Sequence, residues 1–328
     1  MKAYVLEQTG GPEMLALQDV LSLAPKADEV KIRVRAFGLN RAEVYLRSGK
    51  MGPITSPRVP GIEAVGEIME DPAGLFRCGQ RVATAMGGMQ FSRNGSYAEE
   101  VTVLRSNVVD LSNTSLPWEK LAALPESYLT VWGAIGKLVE GGAAQTLLVR
   151  GATSSVGLAA VTYAKAHGLK VVATTRSEEN TARLREVGAD VVVVDDGAIS
   201  DVVRQILPDG VDFALEVVGA ATVRDTLKTL RPFGHAVVIG LLGGTPMLDQ
   251  FNLMQDLPAA TRLSFFPSGM LGTAALPLSN TPLEWIASQI EKGQLPSLHV
   301  ETFDFDEVHH AHSLLDSYRA LGKLVVVL

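Results

Sequence analysis

Residues 146–157, TLLVRGATSSVG, decide the fold of this 328-residue chain. Five strand-forming residues, Thr146-Leu147-Leu148-Val149-Arg150, run straight into the small-residue turn Gly151-Ala152-Thr153-Ser154-Ser155-Val156-Gly157, and the segment SVGLAAVTYAKAHG that follows reads as helix. Strand, tight turn and helix in immediate succession form the context in which a dinucleotide's pyrophosphate is held on a helix N-terminus. Aligned on its last glycine, the turn reads A-x-S-x-x-G where the fingerprint has G-x-G-x-x-G, so Ala152 and Ser154 replace the first two glycines. Small residues still let the backbone approach a pyrophosphate, Ser154 and Ser155 add hydroxyl donors, and Gly157 permits close packing of helix on strand. The whole turn, Ala152 to Gly157 with Thr153 and Val156, is the candidate cofactor contact. The competing reading is a turn that only joins strand to helix in a sheet protein without a nucleotide.

Downstream of this unit the rhythm continues: KVVATT, EENTARLREVG, DVVVV, AISDVVRQILPDG, VDFALEVV, AATVRDTLKTL and HAVVIG alternate strand with helix. Such alternation implies a parallel doubly wound sheet. Gly168, Gly188 and Gly210 stand where a helix needs a C-terminal stop. Upstream, runs such as EVKIRVRAFGLN, VPGIEAVGEI and QRVATAM are short and punctuated by Gly and Pro, a strand-and-turn texture. After about residue 262 the pattern loosens again and closes with KLVVVL. The expected organisation is therefore one domain interrupted by another: residues 1–120, an inserted dinucleotide-binding domain at 121–262, and a return to the first domain at 263–328.

The residue after the second strand of such a sheet selects the cofactor. An Asp or Glu there accepts from the ribose 2′-hydroxyl of NAD, whereas KVVATT ends in Arg176 and Ser177. A guanidinium and a hydroxyl suit a 2′-phosphate, which a carboxylate repels, so the expected cofactor is NADPH. The alternative is that Arg176 is a solvated loop charge.

Composition narrows the class. Hydrophobic residues are 47% and charged residues 20%, ordinary for a packed protein, and the net charge of −7 argues against nucleic acid as the partner. One cysteine, Cys78, allows neither a disulfide framework nor a thiolate cluster and fits a reducing cytoplasm. No apolar run reaches the roughly 18–20 residues of a membrane span, and MKAYVLEQTGG has no signal-like core, so neither membrane nor export is expected.

The segments MKAYVLEQTGGPEMLALQDV, VRAFGLNRAEVYLRSGK, PGIEAVGEI, LPESYLTVWGAI and the terminal ALGKLVVVL, in this order, resemble the quinone oxidoreductase branch of the medium-chain dehydrogenase/reductase superfamily. The resemblance implies an α/β fold in which a Rossmann doubly wound parallel sheet is inserted into a partly open β-barrel-like (GroES-like) catalytic domain. It also implies zinc-independent chemistry. Zinc alcohol dehydrogenases carry a ligating Cys where this chain has Asn40, Gly-His-Glu where it has Gly61-Ile62-Glu63, and another Cys where Glu126 stands. The four-cysteine structural lobe is absent too, and no metal is expected. His309, His310 and His312 in EVHHAHSLLDSYR are read as a polar, solvated helix that the family uses structurally.

By the same resemblance, Asn40 and Tyr45 lie beside the nicotinamide, where an amide and a phenol can orient the ring or donate to a substrate carbonyl. Met51 stands where some relatives have a second tyrosine, and Tyr45 can equally be a packed aromatic whose hydroxyl meets water. Thr130 and the loop Gly240-Leu241-Leu242 resemble segments that pass the nicotinamide half of the cofactor. The implied function is reduction of a quinone or α,β-unsaturated carbonyl, a small-molecule electrophile, by a homodimer. An enoyl-thioester reductase of the same fold and a non-catalytic NADPH-binding protein are the alternatives, since fold does not determine substrate.

Overall fold

A computed structural model of the chain describes residues 1–136, 145–244 and 246–328. Two compact units emerge: Met1–Leu129 with Gly269–Leu328, and Thr130–Ser268 between them in the chain.

The first unit opens with β1 (Lys2–Leu6) and β2 (Leu15–Asp19), an antiparallel pair. In β3 (Glu29–Gly38) the sequence alternates Val30, Ile32 and Val34, all buried, with Lys31, Arg33 and Arg35, which reach water, the period-2 pattern of a strand with one face on the core. Asn40 then caps the short helix α1 (Arg41–Arg47). Four strands follow, β4 (Glu63–Glu70), β5 (Arg81–Ala85), β6 (Glu100–Leu104) and β7 (Val108–Asp110), then α2 (Trp118–Ala122) and α3 (Pro125–Val131), whose last two residues, Thr130 and Val131, already belong to the second unit, past the join expected at 120/121.

The second unit is built of β8 (Thr146–Arg150), α4 (Ser155–Ala166), β9 (Lys170–Thr175), α5 (Thr181–Glu186), β10 (Val191–Val194), α6 (Ser200–Ile206), β11 (Val211–Glu216), α7 (Val223–Lys228), β12 (Leu230–Val238), α8 (Leu253–Asp256) and β13 (Arg262–Phe265). Its six strands are all parallel, in the order β10-β9-β8-β11-β12-β13. The order reverses between β8 and β11, the switch point at whose carboxyl ends this fold binds ligands. Strands covered on both faces need no alternation, which is why Leu147, Leu148 and Val149 are all buried. Gly168 and Gly188 do end α4 and α5, at φ +79 and +110. Gly210 does not end α6, which stops at Ile206, two residues before Pro208; this glycine closes the turn into β11 instead. Texture places the second join at 262/263, whereas β13 pairs with β12, because a four-residue strand after a loop leaves too little periodicity to read.

The chain returns to the first unit with α9 (Leu283–Glu291), β14 (Val300–Asp304), α10 (Val308–Asp316) and β15 (Lys323–Val327). A seven-stranded sheet results, in the order β14-β15-β3-β4-β5-β7 with β6 paired to β3. The antiparallel register sets Val325 opposite Gly38, so the last strand of the chain starts beside Asn40. No helix among the described residues is long and apolar enough to cross a membrane.

Candidate active site

In the second unit, Gly151 turns the chain at the end of β8 and Ala152 is buried. A Cβ on Gly157 would run into the Gly151 carbonyl oxygen and the Ala152 backbone, so only glycine fits this close approach of helix to turn. Ser154 caps α4: its Oγ accepts from the Gly157 amide at 3.0 Å and donates to the Gly151 carbonyl at 2.9 Å. Its proton is spent inside the turn, which corrects the expectation that Ser154 is a free donor for a pyrophosphate. Thr153 and Ser155, both partly buried, make no side-chain hydrogen bond among the described residues, and Val156 is partly exposed beside them.

What sequence reasoning missed is the guanidinium beneath this turn. Arg150 is fully buried, yet it follows the apolar run Leu147-Leu148-Val149 at the end of β8. Its Nε and Nη2 bind Asp195 at 2.8 Å each, and Nη1 binds Asp225 at 2.8 Å and Thr226 Oγ1 at 3.0 Å. Burial opposes the Arg150 charge, and the Asp195 contacts with the surrounding carboxylates outweigh it, so its pKa is raised. Two relays leave this hub. In one, Thr174 Oγ1 donates to Asp195 at 3.4 Å and accepts from the Gly151 amide at 3.1 Å. In the other, Thr226 donates to Glu216 Oε2 at 2.5 Å, and Glu216 Oε1 accepts from the amides of Val218 at 2.8 Å and Gly219 at 3.0 Å. One buried cation thereby tethers the turn after β8 and the turn after β11. The Gly240-Leu241-Leu242 loop is fastened to the latter, through Leu242 N to Val217 O at 3.3 Å and Gly243 N to Val218 O at 2.8 Å.

Arg176 is exposed at the end of β9, with no side-chain hydrogen bond or ion pair among the described residues. Ser177 caps the next turn by accepting from Glu179 N at 3.3 Å, and Glu178 and Glu179, both exposed, follow at once. Thr130 is buried in α3.

In the first unit, Lys323 is 1% exposed and Glu63 0%. The Lys323 ammonium lies 2.5 Å from Glu63 Oε1 and donates to Asn40 Oδ1 at 2.6 Å. Asn40 Nδ2 donates to the same Glu63 oxygen at 2.9 Å and, more weakly, to Gly38 O at 3.4 Å, while Glu63 Oε2 accepts from the Glu126 amide at 2.8 Å. Asn40 and Glu63 therefore meet around a lysine 283 residues from Asn40 in the chain, and Glu63 also holds the Glu126 backbone. Below them Glu43, fully buried, accepts from the amides of Asn40 at 2.7 Å and Ile62 at 3.1 Å. Burial lifts its carboxyl to about 7, against the pull of those amides and of Lys323.

Tyr45 is partly buried on α1, and burial foremost raises its pKa, so the phenol is protonated and able to donate. Lys50 Nζ lies 5.2 Å from its ring centroid, and Met51 is exposed. The histidine helix is not simply solvated. His312 is fully buried and shares a hydrogen bond of 3.0 Å between its Nε2 and the Tyr97 hydroxyl, and burial depresses it to about 3. His309 Nε2 bonds the Leu15 carbonyl, and the His310 ring stands edge-on to Phe303 at 5.5 Å. The α10 stripe that faces the core takes His312 with it, which polarity alone does not show. Among the described residues no group of three or more His, Cys, Asp or Glu is placed to hold a metal ion.

Two family models match the chain: an alcohol dehydrogenase GroES-like domain over residues 26–113 and a zinc-binding dehydrogenase domain over residues 155–276. The quinone oxidoreductase of Mus musculus is 34% identical over 254 residues, covering 74% of each chain. That of Rattus norvegicus is 28% identical over 342 residues, covering 100% of this chain and 98% of its own. The crystal structure of the quinone oxidoreductase of Pseudomonas syringae pv. Tomato DC3000 superposes with a TM-score of 0.85 at 25% identity, covering 100% of this chain and 99% of the other.

Proposed function

The chain belongs to the quinone oxidoreductase branch of the medium-chain dehydrogenase/reductase superfamily, and from that premise we propose an NADPH-dependent reductase that delivers hydride to a quinone or α,β-unsaturated carbonyl without zinc. The observation that carries the metal-free reading is the Lys323 ammonium, seated between Glu63 and Asn40. A dication does not fit beside it, and an amide, an isoleucine at position 62 and Glu126 replace the soft and imidazole donors that zinc needs.

The bound cofactor supplies the hydride. In the second unit the amides and free hydroxyls at the start of α4 receive its pyrophosphate, Arg176 and Ser177 its 2′-phosphate, and Thr130 with the Gly240-Leu241-Leu242 loop its nicotinamide half. In the first unit Lys323 and Glu63 fix the Asn40 amide, whose second Nδ2 hydrogen, held only at 3.4 Å by Gly38, can donate a hydrogen bond to a substrate oxygen. Tyr45 donates to the oxyanion that develops as hydride arrives.

Steady-state oxidation of NADPH against quinones, enones and enoyl thioesters tests the reading. Turnover should survive exhaustive chelation, and Tyr45→Phe should lower kcat by about 10–100-fold, less than a fully buried donor. Loss of activity on chelation with recovery on adding zinc would overturn the metal-free chemistry. Tight NADPH binding with no turnover across the panel would favour a binding protein. A homodimer in the cytoplasm completes the proposal; among the described residues β13 pairs on one edge only, and Met247, Leu253, Met254 and Phe265 of the second unit are exposed.

A further inference from the structure

Arg41 is the first residue of α1 and makes no hydrogen bond or ion pair among the described residues, although it is partly buried. Its guanidinium lies 3.7 Å from the ring centroid of Tyr318. A guanidinium stacked on an aromatic face loses mobility while its N–H fork stays in the plane of the group, open to an acceptor. Burial lowers its pKa, so the charge is held there at some cost. Asp316 offsets that cost only in part. Asp316 is bound through both oxygens by Arg47, at 2.9 and 2.7 Å. Four residues along the same helix, hence on the same face, stands Tyr45, with the Lys50 ammonium over its ring. In a chain of net charge −7, Arg41 and Lys50 set two cations beside Tyr45, and the carboxylate that acts on Arg41, Asp316, is already bound by Arg47.

We propose that Arg41 docks an anionic group of the electrophile, so that the preferred acceptors are α,β-unsaturated carbonyl compounds carrying a carboxylate or phosphate rather than neutral quinones. The inference rests on the reductase reading above. The reaction balances as it does for a neutral enone: hydride from reduced nicotinamide forms the C–H bond at the β-carbon, the C=C π pair moves to the α-carbon and is protonated from solvent, and the oxidised cofactor leaves. The anionic group is unchanged and stays paired with the guanidinium throughout.

Matched substrate pairs test it. The first pair is 4-oxo-2-pentenoic acid against its methyl ester, which isolates a carboxylate; the second is crotonyl-CoA against crotonyl-N-acetylcysteamine, which isolates the phosphates. For at least one pair the wild type should favour the anionic member by about tenfold to a hundredfold in kcat/KM, the range of one charge-assisted contact at a partly exposed site. Arg41→Gln should erase that preference and leave the neutral member nearly unchanged, Arg41→Lys should keep part of it, and salt should weaken the anionic member alone. Equal kcat/KM within both pairs in the wild type, or equal losses for both members in Arg41→Gln, would overturn the assignment. Binding of the unreactive 4-oxopentanoate, followed by NMR, separates this result from failure of the reductase reading. If no acceptor turns over, binding to wild type that Arg41→Gln loses still supports the contact, and absent or equal binding refutes it.

Discussion

Replacing Arg176 by alanine should weaken NADPH and leave NADH almost untouched. Hydrogen bonds to charged groups are worth about 1.5–3 kcal/mol where water is excluded, but Arg176 is exposed at the end of β9. Solvent screening reduces the contact to about 1–2 kcal/mol, a factor of about 5–30 in Kd. Glu178 and Glu179, exposed beside it, work against the same phosphate and keep the wild-type preference for NADPH toward the lower end of that range. Because the side chain has no hydrogen-bond or ion-pair partner among the described residues, its loss breaks no such contact in the fold, and stability should change by no more than about 0.5 kcal/mol. The assay is a fluorescence titration of both cofactors, with wild type and Arg176→Ala, at low and at physiological salt. Added salt should cost NADPH more than NADH in the wild type and should cost both equally in the variant. Arg176→Asp should tilt the preference toward NADH by repelling the phosphate. Equal losses for the two cofactors, or an unchanged Kd for NADPH, would show that Arg176 does not read the 2′-phosphate.

Arg150→Met leaves Asp195 and Asp225 without their buried countercharge and should cost about 3–5 kcal/mol in denaturant unfolding; a smaller loss than in an ordinary core truncation would argue that the carboxylates find other partners. Lys323→Met should be comparably destabilising because Glu63 is left charged and buried, and Glu63→Gln in the same background should recover part of the loss; failure to recover any would separate the two residues. The Glu43 carboxyl, lifted by burial from 4.5 to about 7, keeps its proton in the folded chain through a window where the unfolded chain has released it. Its contribution to stability is therefore full below about pH 4.5 and fades as pH rises through 7, and Glu43→Gln should flatten that part of the profile. Light scattering at micromolar concentration should give a dimer, and a charge at Phe265 on the edge strand should shift it to monomer; a monomeric wild type would remove the edge-pairing proposal.

Much of the cofactor side was legible because its determinants are local. A strand, a small-residue turn and a helix occupy twenty-one consecutive positions from Thr146 to Ala166, and Arg176 follows the next strand directly, so spacing alone locates them. Hydrophobic alternation likewise marks β3, and near-continuous apolar runs mark the parallel strands. The use to which each polar atom is put was not legible. Ser154 looks like a ligand donor and is a cap, and His312 looks solvated and is in the core, because a hydroxyl proton or a helix face is committed by whatever packs against it.

By itself, then, the sequence determined the order of strands and helices, the insertion of one domain in another, the small-residue turn between β8 and α4 and the absence of zinc-type ligands at Asn40, Ile62 and Glu126. Only the tertiary structure decided that Lys323 from β15 sits between Asn40 and Glu63, and that Arg150 ties the turns after β8 and β11 to one buried charge. The physical reason is that periodicity and turn chemistry act over a few residues, whereas a buried charge is settled by the nearest opposite charge in space. For Lys323 that partner lies across a sheet whose register sets β15 beside β3, some 287 residues apart in the chain (325 − 38).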